Sequence, residues 1–299
     1  MINWIYFVLI AQGIWAVCAI IDKFVISKGY IRNPAVYIVL NGLMNVLLIF
    51  LLPFFDFEPM KAADIFIAMS AGISLSIAVT LYYKAVQHDE ISRIKIMYQM
   101  EPVLVLMLAF ILLGDVLTKN YFIGFLFLVA AGLIVSYNRA NKSLKLSKSF
   151  YLVLASILFA ALGYIAAKHV LSVTGFWSAF LWLRLANSSA LLVLLAPSIR
   201  KEFVETFKSM KTGIRGLLGF KMVIDFSSFV FANYALLNGP VALVAALETS
   251  ISPLLVLVMT LAISLYFPGI LKEEINKKAI LIKLSAIVLV AIGIVFVSL

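Results

Sequence analysis

Apolar runs of roughly 18–25 residues alternate with short polar connections along the whole chain, and each is long enough to cross about 30 Å of hydrocarbon as a helix. Ten spans are predicted, over residues 4–26, 34–53, 63–86, 91–113, 120–137, 150–171, 177–196, 213–237, 240–266 and 279–298. Barrel strands would instead alternate strictly over segments of about ten residues, and that pattern is missing. One short stretch behaves differently. Over residues 198–211, Ile199, Phe203, Phe207 and Met210 share one helical face, while Arg200, Lys201, Glu202 and Lys208 occupy the rest. That distribution predicts a structural helix lying along the headgroup region.

The most polar connection, NRANKSLKLSKS over residues 138–149, falls near the midpoint, and the two sides of it echo each other. Lys23 closes the first span as Lys168 closes the sixth. Asn41 corresponds to Arg184, and Gly132 to Gly293. Tyr83 precedes Pro102 by the interval that separates Tyr234 from Pro253. The expected fold is therefore an all-α membrane bundle of ten transmembrane helices, built as two five-helix repeats over residues 1–142 and 143–299. An odd number of helices per unit inverts the second copy, and the interface of inverted repeats commonly holds a substrate site near the bilayer midplane.

Composition agrees with a membrane solvent. The 299 residues are 64% hydrophobic and 13% charged, with a mean hydropathy of +1.12. A soluble domain is about half apolar and a quarter charged. The net charge of +10 does not indicate nucleic acid, because the basic residues fall between apolar runs. Arg93, Lys95, Arg139, Lys142, Arg200, Lys201, Lys272 and Lys277 fall on one side, which places both termini externally. The first span has no basic segment before it and is expected to remain in place. Cys18 is the only cysteine, so no internal disulfide can form. His88 and His169 form no ligand-spaced set, and no metal site is expected. Nucleotide-binding loops, nucleophile elbows and zinc-protease motifs are missing, so neither an enzyme nor a cofactor is expected.

The candidate chemistry lies in charges inside the spans. Lys221 and Glu248 sit roughly 10–15 Å from their helix ends, and Asp225 deeper. A charge there costs about 2.5–3.5 kcal/mol unless it faces a partner or a wet cavity. Lys221 and Asp225, at i and i+4, share a face. Two readings stand: a salt bridge that pins helix packing, or a polar lining for something that crosses. Pro102 follows Glu101, and Pro253 follows Ser252 in the matching position. A proline inside a span loosens the preceding turn, so the pair forms either hinges or static kinks.

Residues 91–137 carry Pro102-Val103, then Leu113-Gly114-Asp115, then Gly124 and Gly132. This run resembles the repeat signature of the drug/metabolite transporter superfamily in its ten-helix EamA-type branch, with Asp in place of the usual Glu. The second copy keeps Pro253 and Gly293 but departs from the signature around residues 267–274. Arg184 resembles an arginine often found in the family's seventh helix. The resemblance implies a central cavity lined by the first, third, fourth, sixth, eighth and ninth helices, which makes Gln12, Trp15, Tyr83, Glu101, Lys221, Asp225, Tyr234 and Glu248 candidate lining residues. It also implies cytoplasmic termini, opposite to the orientation given by the loop charges.

These readings lead to a secondary active transporter of small polar metabolites such as amino acids, in the cell (inner or plasma) membrane, most simply an exporter and proton-coupled. Lys221 and Arg184 would attract a carboxylate or phosphate. Glu248, Asp225 or Glu101 would hold an ammonium or exchange a proton. An exchanger of phosphorylated or nucleotide-type anions is the alternative, and a non-transporting assembly or flippase component a second. The partners expected are a small molecule and the lipid bilayer, with no nucleic acid, in a monomer or homodimer.

Overall fold

The computed structural model describes residues 4–31, 33–46, 50, 54–86, 94, 97–98, 100–116, 118–136, 148–266 and 277–298. Every regular element among them is a helix. In chain order these are α1 (Trp4–Ser27), α2 (Pro34–Val46), α3 (Ala62–Val86), α4 (Glu101–Leu113), α5 (Lys119–Ser136) and α6 (Lys148–Val173). Next comes α7 (Phe176–Asn187), continued by a 3-10 segment (Ser188–Leu195), then α8 (Pro197–Ser209), α9 (Thr212–Asn238), α10 (Val241–Tyr266) and α11 (Lys277–Ser298). Each predicted run overlaps one of them. The segments Trp4–Asp22, Ala62–Tyr82, Ser149–Val173 and Phe176–Leu195 are long and apolar enough to cross a membrane. Phe66, Phe110, Tyr151, Phe220 and Val223 point outward and exposed, which suits contact with acyl chains. The chain is an all-α membrane protein.

The first two turns of α10 form the centre. Every residue from Val241 to Glu248 is buried, and the helix packs on α1, α4 and α5. Ala242, Ala245 and Ala246 let neighbours approach from several sides at once. Ser250 donates to the Leu128 carbonyl of α5 at 2.6 Å, fixing the height of one against the other. Around this post α3 packs on α6, α1 on α9, and α5 on α11. Lys168, near the end of α6, donates to the carbonyls of Leu236, Leu237 and Gly239 at 2.8, 2.9 and 3.0 Å. It thereby satisfies the last carbonyls of α9, which carry the negative end of that helix's dipole.

Three elements depart from the sequence reading. Pro102 stands in the first turn of α4, after Met100 as N-cap, rather than inside a continuous helix. A missing N–H costs nothing there. Pro253 does fall within α10. The seventh span tightens into a 3-10 helix after Asn187, where Asn187, Ser188 and Ser189 compete for backbone bonds: the Ser188 hydroxyl bonds the Leu185 carbonyl. Helix α8 does not rest its apolar face on lipid alone, since Phe203, Phe207 and Met210 pack with Ile31, Val36 and Leu218. Asn33 also donates to its Glu202 at 2.6 Å. The side chains of Lys23, Asn41, Tyr83 and Pro253 lie outside the described residues, as do the connection 138–147 and the segment 267–276.

Candidate functional site

Helices α1, α3, α4, α6 and α10 enclose a cavity of about 520 Å³. Its polar lining is Gln12, Tyr82, Tyr98, Glu101, Tyr164, Glu248, Thr249 and Ser252, with no basic residue among the described ones. Glu101 is the first residue of α4, where the positive end of the helix dipole favours an anion. Glu248 stands on the buried face of α10 and accepts a hydrogen bond from the Tyr164 hydroxyl at 2.7 Å. Both carboxyls are 7% exposed and lie within electrostatic reach of each other. Like charges enclosed together repel strongly at low dielectric, and a cation or a shared proton between them relieves the repulsion. The aromatic wall is held rigid. Tyr98 is hydrogen-bonded to Ser156, which donates to the Ala78 carbonyl at 2.6 Å. The Tyr82 and Tyr98 rings meet edge to face at 5.1 Å.

A second cluster joins α1 to α9. The i,i+4 spacing brings Lys221 Nζ to 3.5 Å from Asp225 Oδ2, and Asp22 Oδ2 approaches the same nitrogen at 3.4 Å. The indole of Trp15 donates to Asp225 Oδ1 at 2.8 Å. Lys221 is thus held between two carboxylates and is not offered to the cavity. Glu248 does not complete this cluster, although the depth of all three charges suggested that they would face one another. It belongs instead with Glu101.

Arg184 is the third feature, on the buried face of α7. Helix α7 reaches this position because Gly72 of α3 has no side chain. A Cβ there would collide with the Leu183 carbonyl and lie 2.7 Å from the Ala186 Cβ and 2.9 Å from the Asn187 nitrogen. The Ser76 hydroxyl, one turn on, donates to the Asn187 side-chain oxygen at 2.6 Å, with the Asn187 carbonyl as an alternative acceptor at 2.9 Å. The Arg184 guanidinium stacks on the Phe229 ring at 4.0 Å. It is within electrostatic reach of both Asp225 and Tyr164, and so lies between the two clusters.

Of the residues singled out from sequence, Gln12, Glu101 and Glu248 come together on the large cavity. Lys221, Asp225 and Trp15 form the ion cluster, and Arg184 stands between the two groups. Tyr234 stacks on Phe176 at 3.8 Å and on Phe7 at 5.7 Å, in an aromatic cluster away from the cavity lining. Sequence reasoning missed Asp22, Tyr82, Tyr98 and Tyr164. Asp22 follows Cys18 by four residues on α1, so helical spacing put the two on one face, whereas Tyr98 lies before the N-cap of α4, where helical spacing gives no guide. Asp22 was hidden by its neighbour Lys23, which marks a span end.

Residues 2–137 match the model of the EamA-like transporter family. A solved crystal structure of a protein shares the fold over 97% of this chain and 96% of its own, with a TM-score of 0.63 at 15% identity. No curated protein matches the sequence.

Proposed function

We propose that the chain, whose residues 2–137 match the EamA-like transporter family, is a membrane transporter of the drug/metabolite superfamily and a secondary active carrier for small polar metabolites bearing a protonated amine, amino acids first among them. It is multi-pass in the cell membrane. Glu101 and Glu248 hold the amine, and the three tyrosines wall the rest of the substrate. The observation that carries this reading is the cavity itself: two buried carboxyls and three phenols with no basic residue in its described lining. Lys221, offered from sequence as an anion site, is already neutralised by Asp22 and Asp225, which counts against exchange of phosphorylated anions. A volume of about 520 Å³ also counts against a purely structural role.

The inverted repeat belongs to the same proposal. Exchanging first for sixth and third for eighth spans turns the α3–α6 contact into the α9–α1 contact, and α4–α6 into α10–α1. The α5–α11 contact maps onto itself, with Gly293 against the Gly124 carbonyl. This pattern supports two related halves that rock about a shared site.

The test is transport of the twenty amino acids and their decarboxylated amines into proteoliposomes. Glu248→Gln is expected to lower the transport of amine-bearing substrates by about tenfold or more, since a charge-assisted bond contributes on that scale. Glu101→Gln is expected to do the same, with insertion and thermal stability retained in both. Wild-type kinetics in both variants would overturn the assignment.

A further inference from the structure

The geometry points to a second binding subsite at Arg184, an oxyanion clamp for a carboxylate on the transported molecule, kept shut in this conformation by the Phe229 ring. The inference rests on the amine-binding reading of the cavity and narrows its substrate class to molecules that carry both an amine and a carboxylate.

Arg184 is 3% exposed, and its Nε and Nη1 donors have no hydrogen-bond partner among the described residues. Neutral surroundings do not compensate a buried guanidinium. Its planar fork of donors is shaped for two parallel bonds to a carboxylate or phosphate. The other buried cation in this region, Lys221, has two carboxylates at 3.4 and 3.5 Å, and nothing comparable among the described residues serves Arg184. Asp225 lies within electrostatic reach of the guanidinium but spends its oxygens on Trp15 and Lys221. The protein therefore retains a desolvated positive group two of whose nitrogens have no acceptor among the described residues, which is costly unless a ligand supplies one.

Phe229 accounts for the closure. Its ring covers the guanidinium at 4.0 Å and also lines a small cavity of about 70 Å³ with Ser76, Val79 and Asn187. Val79 borders both this cavity and the large one that holds Glu101 and Glu248. Swinging the Phe229 ring away exposes the unused donors to a space beside the amine site. Trp15 meets Phe229 edge-on at 5.2 Å and is itself tied to Asp225, so the ring's position is coupled to the ion cluster. A zwitterion can then span the site, with its ammonium toward the two glutamates and its carboxylate on Arg184.

Binding is measured on the detergent-purified full chain by screening the twenty amino acids in thermal shift. The best binder is then compared with its decarboxylated amine and its deaminated acid. Arg184→Met is expected to weaken the amino acid and the acid by about tenfold or more, and the amine far less. Arg184→Lys, which keeps the charge but not the fork, is expected to restore only part of the loss. Phe229→Leu, which removes the ring that closes the clamp, is expected to strengthen acid binding in the same assay. The clamp is overturned if wild type binds no acid and no amino acid, or if Arg184→Met weakens all three ligands equally or none. If the acid binds through Arg184 while the amine does not bind at all, the clamp stands and the amine reading of the cavity fails.

Discussion

Replacing Lys221 by Met tests whether the α1–α9 seam depends on charge pairing. The ammonium sits 3.4 Å from Asp22 and 3.5 Å from Asp225, with side-chain exposures of 10% for the lysine and 9% and 30% for Asp225 and Asp22. At an effective dielectric of about 20, each attraction is on the order of 5 kcal/mol before desolvation is counted. Most of that offsets the cost of taking three charges out of water. Removing one partner nevertheless strands the others, and breaking a buried pair typically costs about 3–5 kcal/mol. The exposure of Asp22 gives water access to one carboxylate, which puts the expected loss near the lower end, about 3 kcal/mol. For a chain of this size that lowers Tm by roughly 6–12 °C. Tryptophan fluorescence during thermal unfolding in detergent reads it. Neutralising the outer pair, as Asp22→Asn and Lys221→Met together, is expected to recover most of the loss, because Asp225 keeps its bond from Trp15 and the Arg184 guanidinium within electrostatic reach, and the remaining charges balance. A single variant as stable as wild type, or a double variant as unstable as the single, refutes this account of the seam.

Two other substitutions probe the scaffold. Gly72→Val places carbon where the backbone of α7 runs, so it is expected to destabilise by about 1–3 kcal/mol and, by shifting Arg184, to reduce transport of zwitterions; thermal unfolding and proteoliposome uptake check the two effects separately. Tyr164→Phe keeps the ring but removes the 2.7 Å bond to Glu248, and is expected to weaken amine binding several-fold with a stability change of about 1–2 kcal/mol; unchanged affinity shows that the phenol does not position the carboxyl.

Much of the helical architecture was legible because membrane helices announce themselves by length and composition. Each predicted run meets a helix, and the amphipathic stretch at 198–211 became α8 (Pro197–Ser209). Depth within a span also identified Lys221, Asp225, Glu101 and Glu248 as interior charges. Which of them meet was not legible. Pairing depends on rotation and height of helices distant in sequence, and Asp22 reaches Lys221 from the opposite half of the chain. The 3-10 turn after Asn187 was hidden for a related reason: its residues are apolar enough to span, and only the contact with Ser76 and the competing serine hydroxyls tighten the backbone. Glu101 and Glu248 share a cavity because α4 and α10 pack against each other, a tertiary fact that periodicity does not encode.

The ammonium of Lys168 grips three carbonyls where α9 turns into α10. One flexible side chain with all its donors engaged acts as a rivet. The tail of α6 is thereby tied to the tail of α9 and to the turn that leads into α10, so displacing one of them means breaking these three bonds or carrying the others along.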